Sequence, residues 1–265
     1  MILHDEALLY DETGSVGLIT FNRQDRLNTF RRRDYEMLLA LLQSVRNSSV
    51  RSLVISGTGR AFSAGQDLSE IEAGKISDAE DQESLLKMMQ DITRILMDMD
   101  IPTITAFNGF AVGAGLEIAL ACDFRIGVPE SYFMFAEVRR GLFPTNGVLW
   151  LLPRLVGLAN AREMLLTGRK FNAAHALRAG LLNEVVPADQ LRDRAMELAF
   201  ELSDNSLDSI AGIKSLLRIT YDVSLEEMMQ CEIDHNRAMT HSPDFAEGVS
   251  AFLEKRMPDF RRERS

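Results

Sequence analysis

Two glutamates stand where a carboxylate is costly to keep. Glu117 lies in Leu116-Glu117-Ile118-Ala119-Leu120-Ala121-Cys122, and Glu137 closes the run Phe133-Met134-Phe135-Ala136-Glu137. A carboxylate among such neighbours is either paired or has its pKa raised. Two of them close together suit general acid/base chemistry through water, with the apolar walls deciding which one holds the proton. Plainer roles stay open: Glu117 as a surface or first-turn helix charge, and Glu137 as an ion-pair partner of Arg139 or Arg140.

Two glycine-containing loops, Gly57 to Gln66 and Asn108 to Gly115, each follow a strand-like run and precede a helix-like one. Such loops aim backbone N–H groups at a single point, where they stabilise a developing oxyanion; equally, they are ordinary turns. Ala61-Phe62-Ser63-Ala64-Gly65 resembles a nucleophile elbow that lacks its first glycine, which keeps a Ser63 hydrolase as a weak rival. Gly113-Ala114-Gly115 begins like a dinucleotide fingerprint but has Ile118 at the third glycine, and no phosphate loop is present. His4, His175, His235 and His241 lack metal-ligand spacing, so no metal is expected.

The elements that must carry these residues follow from periodicity. Leu8-Leu9-Tyr10 and Val16 to Phe21 flank Asp11-Glu12-Thr13-Gly14, which predicts a hairpin. Apolar residues at spacings of three and four predict helices over 31–47 and 78–100, the second stopped before Pro102. Strands are expected at Leu53 to Ser56, Thr103 to Phe107, Phe124 to Val128 and Glu184 to Val186, with a short helix at Leu116 to Cys122. Further helices are expected at 147–155, 159–166 and 173–179, and four more over 189–202, 207–220, 225–240 and 243–255. The reading is an α/β body over residues 1–200 and a helical region over 201–265, packed on the body or on a neighbouring subunit.

Composition narrows the class of function. The 265 residues are 46% hydrophobic, enough for a sizeable core. A net charge of −10 gives no reason to approach nucleic acid or anionic lipid. Two cysteines, Cys122 and Cys231, suit a reducing compartment. No apolar stretch approaches the roughly 18 residues of a membrane span, and the first residues have no signal-peptide pattern. A cytoplasmic protein is expected.

Five stretches in order resemble the crotonase (enoyl-CoA hydratase/isomerase) superfamily over nearly the whole chain: Phe21 to Asn28, Gly59 to Leu68, Pro102 to Asp123, Phe135 to Gly141 and Ala251 to Arg256. The resemblance implies a spiral of repeated ββα units, a helical C-terminal region used in trimerisation, and trimers or hexamers. It implies acyl-CoA thioester substrates, with coenzyme A as part of the substrate and no other cofactor. It places the oxyanion hole on the backbone N–H groups of Gln66 and Ala114. Glu117 then helps activate the attacking water, and Glu137 delivers a proton to the α-carbon. It assigns CoA or substrate contacts to Arg26, Ala64, Asp67, Leu68, Thr145, Phe252 and Lys255, the last two at the nucleotide end from the same or a neighbouring subunit.

Both glutamates are present, which favours reversible hydration of a 2-enoyl-CoA. Two departures bear on the acyl group. Many relatives have alanine where this chain has Gln66, and the usual glycine-rich turn is replaced by Leu142-Phe143-Pro144-Thr145-Asn146-Gly147-Val148, whose polar Thr145 and Asn146 are expected to alter the acyl pocket. The rivals are a double-bond isomerase or C–C lyase acting on a branched, cyclic or aromatic acyl-CoA, and a non-catalytic acyl-CoA-binding protein.

Overall fold

The computed structural model describes residues 3–72 and 79–261. Its larger sheet has seven strands, β1 (Leu3–His4), β2 (Leu8–Thr13), β3 (Val16–Phe21), β4 (Ser52–Gly57), β6 (Thr103–Phe107), β8 (Phe124–Gly127) and β11 (Glu184–Val185), in that spatial order. Between them in the chain come the strands of a second sheet, β5 (Ala61–Ser63), β7 (Phe110–Val112), β9 (Tyr132–Met134) and β10 (Phe171–Asn172), in the spatial order β10-β9-β7-β5. The hairpin β2–β3 closes on a two-residue turn, with Thr13 opposite Val16 and Gly14 at φ 60°. The first strand therefore runs through the polar stretch Asp11 to Thr13 that reads as turn in the sequence.

The helices are α1 (Arg32–Arg46), α2 (Ser69–Glu72), α3 (Ala79–Met97), α4 (Ala114–Ala119), α5 (Val148–Thr167), α6 (Ala173–Arg178), α7 (Leu191–Ser203), α8 (Leu207–Ile219), α9 (Leu225–Met239) and α10 (Pro243–Glu254). Asp78, where the sequence reading begins the second long helix, lies outside the described residues. The two helices expected at 147–155 and 159–166 are the two halves of α5, which breaks between them at Gly157, whose φ of 75° and ψ of 156° no right-handed helix accommodates. The chain thus repeats a unit three times: one strand in the larger sheet, one in the smaller, then a helix (β4-β5-α3, β6-β7-α4, β8-β9-α5).

The second sheet is the main difference from the sequence reading, which treats 57–66 and 108–115 as loops. Its strands are two or three residues long, too short to display a period of two, and they exist because each pairs with a neighbour distant in sequence. A ladder of phenylalanines joins the two sheets: Phe30 to Phe21, Phe21 to Phe62, Phe62 to Phe107 and Phe107 to Phe133 meet edge-to-face at 4.8–5.1 Å between ring centroids. Such pairs contribute about 0.5–1.5 kcal/mol each beyond burial.

On the opposite face of the larger sheet, α7 crosses residue 200 and lays Leu191, Ala195 and Ala199 over Val16, Val54, Ile104 and Ile126. Beyond it, Lys214 on α8 ties to the body by donating to the carbonyl of Ile101 at 2.8 Å and the carboxylate of Asp123 at 2.6 Å. Helices α8–α10 leave Ile213, Leu217, Leu225, Ile233, Phe252 and Leu253 exposed. No helix among the described residues is long and apolar enough to cross a membrane.

Candidate active site

Strands β5, β7 and β9 lie side by side and run parallel, so their C-terminal ends share one edge of the smaller sheet. Within three residues of each end comes a group singled out by the sequence: Gln66 after β5, Ala114 after β7 and Glu137 after β9. Glu117 follows one helical turn beyond Ala114, because α4 starts two residues earlier than its apolar run suggests. These residues surround one cleft of about 550 Å³, which Ala64, Leu68 and Thr145 also line.

Both expected N–H donors are free to face it. Ala114 is the first residue of α4, so its N–H has no acceptor within the helix. Gln66 forms a parallel bridge with Phe30, in which the carbonyl of Gly65 and the N–H of Asp67 point toward Phe30 at 2.9 and 2.8 Å. Peptide groups alternate along an extended chain, so the N–H of Gln66 itself points the other way, toward the cleft. The two loops come close because Gly65, at φ 89°, has no side chain; a Cβ there would lie 2.8 Å from the carbonyl oxygen of Val112 and 3.2 Å from the nitrogen of Ala114.

Glycine also sets the reach of Glu137. Gly113 takes φ 54° and ψ −132°, and a Cβ on it would meet Oε1 of Glu137 at 2.8 Å. Glu137 makes no ion pair with Arg139 or Arg140 among the described residues, and its Oε2 is buried without a hydrogen-bond partner, as is Oε1 of Glu117. Burial, reinforced by the neighbouring Glu137, pushes the Glu117 carboxyl up to about 8, against the pull of the N–H groups of Asn146 and Thr145. Burial raises Glu137 too, opposed by its own N–H and by Arg140. Two neighbouring carboxyls, one of them held protonated at neutral pH, meet the electrostatic requirement of general acid/base chemistry.

The turn over Glu117 is braced from α3, a role the sequence reading missed. Thr93 donates to Oδ1 of Asn146 at 2.6 Å, and Nε2 of Gln90 donates to the carbonyl of Thr145 at 3.0 Å. The Asn146 side chain is thereby buried against α3 and does not line the cleft, so of the two polar turn residues only Thr145 shapes the pocket. Thr93, a lone hydroxyl on an apolar helical face, was the available signal. Leu85, Leu86 and Met89 of the same helix form the apolar wall opposite the glutamates.

Ser63 is no nucleophile in this arrangement. It is fully buried, its hydroxyl donates to the carbonyl of Asn28 at 2.7 Å, and it accepts from the N–H of Gly65 at 3.1 Å, which fixes the first loop. Asp67 also holds structure: burial raises its pKa, but hydrogen bonds from Ser69 and the Arg23 guanidinium prevail and keep it below the usual carboxylate range. Arg26 is largely exposed beside Asp25, while Phe252 and Lys255 end α10; none of these three lines the cleft of this single chain. Among the described residues no three His, Cys, Asp or Glu side chains converge as a metal-ligand set.

Residues 11–263 match the sequence model of a family described as enoyl-CoA hydratase/isomerase. The chain is 35% identical over 257 residues to the 1,2-epoxyphenylacetyl-CoA isomerase of Escherichia coli, covering 96% of this chain and 98% of that one. It is 34% identical over 258 residues to the carnitinyl-CoA dehydratase of Citrobacter koseri, covering 96% and 97%. Among solved structures, an enoyl-CoA hydratase from Bacillus anthracis superposes with a TM-score of 0.91 at 30% identity, over 97% of this chain and 100% of that one.

Proposed function

The chain belongs to the enoyl-CoA hydratase/isomerase family, and from that premise we propose that it catalyses the reversible hydration of a 2-enoyl-CoA to a 3-hydroxyacyl-CoA. The observation that carries this reading is the convergence of Glu117, Glu137 and the N–H groups of Gln66 and Ala114 on one cleft. The thioester oxygen accepts hydrogen bonds from the two N–H groups, which stabilise the enolate more than the ground-state carbonyl. In hydration, Glu117 takes a proton from water as its oxygen bonds the β-carbon, and Glu137 gives a proton to the α-carbon. In dehydration, Glu137 takes the α-proton and Glu117 protonates the departing hydroxyl. The raised pKa of Glu117 makes the resting enzyme ready for the second direction, while hydration starts from the form with the proton on Glu137.

Coenzyme A enters as part of the substrate in this reading. The carbonyl of Ala64 takes the adenine, Leu68 borders the thioester arm, and Thr145 borders the acyl group. Asp67 acts by holding the first loop. Arg26, Phe252 and Lys255 serve the nucleotide end, the last two from a neighbouring subunit. The exposed apolar residues of α8–α10 support a homotrimer or a hexamer, measurable by analytical ultracentrifugation. The cytoplasm is the proposed location.

A second reading, double-bond isomerisation, draws on the family's description as enoyl-CoA hydratase/isomerase. One experiment separates the two: purified protein is mixed with a short 2-enoyl-CoA, the conjugated thioester is followed by ultraviolet absorbance, and the product is weighed. Hydration adds one water to the mass and disappears in Glu137→Gln. A product of unchanged mass establishes isomerisation instead.

A further inference from the structure

The cleft holds a cation that acts on Glu137 only through its field, with no ion pair or hydrogen bond to it. Arg140 lines it on the short helical turn Glu137–Arg140 that carries Glu137. Its side chain is exposed, and among the described residues no carboxylate lies within 4.0 Å of the guanidinium and no hydrogen bond engages it. Its neighbour Arg139 is turned away over Gly168. Resting on the reading of this cleft as an acyl-CoA site, we propose that Arg140 binds a carboxylate carried by the acyl group, so that the substrate is the thioester of a short dicarboxylic acid.

The argument is one of compensation. Leu85, Leu86, Leu142 and Phe143 also line the cleft, so an acyl group that fills it displaces water from around Arg140 in an apolar setting. A neutral acyl group strips water from the guanidinium and returns nothing; a carboxylate returns a charge-assisted, two-pronged hydrogen bond. Glu137 would repel such an anion, and a cation three residues along the same turn offsets that repulsion. Position identifies the acyl end as the source of the anion. Arg140 stands one short helical turn from the group that serves the α-carbon, whereas the pantetheine arm separates the CoA phosphates from that carbon. Gln66 and Gln82 add polar groups to the same cleft.

Saturated thioesters, which cannot be hydrated, test this by calorimetry: glutaryl-CoA against the CoA thioester whose terminal carboxylate is replaced by a primary amide. The wild-type protein binds the carboxylate at least about tenfold more tightly. Arg140→Gln weakens the carboxylate about thirtyfold and the amide by less than about threefold, while Arg140→Lys recovers part of the preference. The same pair built on pantetheine, without the nucleotide, keeps the preference. Equal binding of acid and amide by the wild type overturns the proposal. So does an Arg140→Gln loss that is the same for both CoA thioesters and vanishes with the pantetheine pair, since the anion is then a CoA phosphate. Because no turnover is read, a failed hydration assay with the acid preference intact rejects the reaction and keeps this inference. Binding of no thioester rejects both.

Discussion

Glu117→Gln should abolish turnover and stabilise the protein, and the size of the gain follows from the site. The Glu117 carboxyl lies at about 8 in the folded protein against an ordinary 4.5, chiefly through burial. Folding at any pH between those values requires it to take up a proton, so the native state binds more protons than the unfolded chain and stability falls as pH rises through that window. At about 1.36 kcal/mol per pH unit, the penalty is about 1 kcal/mol at pH 5 and about 3 kcal/mol at pH 7, and it levels near 5 kcal/mol above pH 9. Glutamine fills the same volume, still accepts from the N–H groups of Thr145 and Asn146, and never has to protonate. Urea unfolding of both proteins at pH 5 and 7, at one protein concentration, reads the difference, in which titrating groups remote from Glu117 cancel. Glu117→Gln should be more stable by about 3 kcal/mol at pH 7, shrinking to about 1 kcal/mol at pH 5, with kcat down at least about a hundredfold. A variant no more stable than wild type at pH 7, or a gain that does not change with pH, would refute the account of Glu117 as a carboxyl held neutral by its surroundings.

Three further substitutions probe how the site is held. Gly113→Ala puts a methyl 2.8 Å from Oε1 of Glu137 on a backbone at φ 54°, so kcat should fall at least about a hundredfold with circular dichroism unchanged; near-normal turnover would show that Glu137 has room to move. Gly115→Ala meets Cβ of Ser63 at 2.4 Å, so it should destabilise by about 1–3 kcal/mol; Ser63→Gly should relieve that loss in the double variant and Ser63→Ala should not, as thermal melts will read. Thr93→Val removes the donor to Asn146 and leaves a buried amide oxygen unpaired, at about 1–3 kcal/mol of stability. Loosening the turn should also weaken the N–H contacts to Glu117 and move the pH–rate profile upward, whereas an unmoved profile would mean that the turn holds without Thr93.

The long elements were legible because their burial is periodic. Leu85, Met89, Ile92 and Leu96 mark the inner face of α3, and β4, β6 and β8 fall where apolar runs end in turn residues. The candidate residues were legible as types: two acids in apolar company and two glycine-bearing loops. Their meeting was not, because it depends on short parallel pairings such as Ala111 with Phe133 and Val112 with Met134, which no local pattern encodes. Asn146 shows the converse error. Its polarity suggested the pocket, but its partner is Thr93, fifty-three residues earlier. Ser63 looked like a nucleophile by its neighbours and is a brace by its hydrogen bonds.

The three strands that end together have a consequence for descent. Two of the groups they deliver are main-chain N–H groups, which every residue except proline supplies, so the oxyanion hole proposed at positions 66 and 114 would survive almost any exchange there. The side chains beside them, Gln66, Arg140 and Thr145, are open to replacement without touching that hole. On the proposed mechanism, a lineage can thus change the acyl group it accepts while the stabilisation of an enolate passes on intact. Catalytic inheritance and substrate choice occupy the same few residues but reside in different atoms.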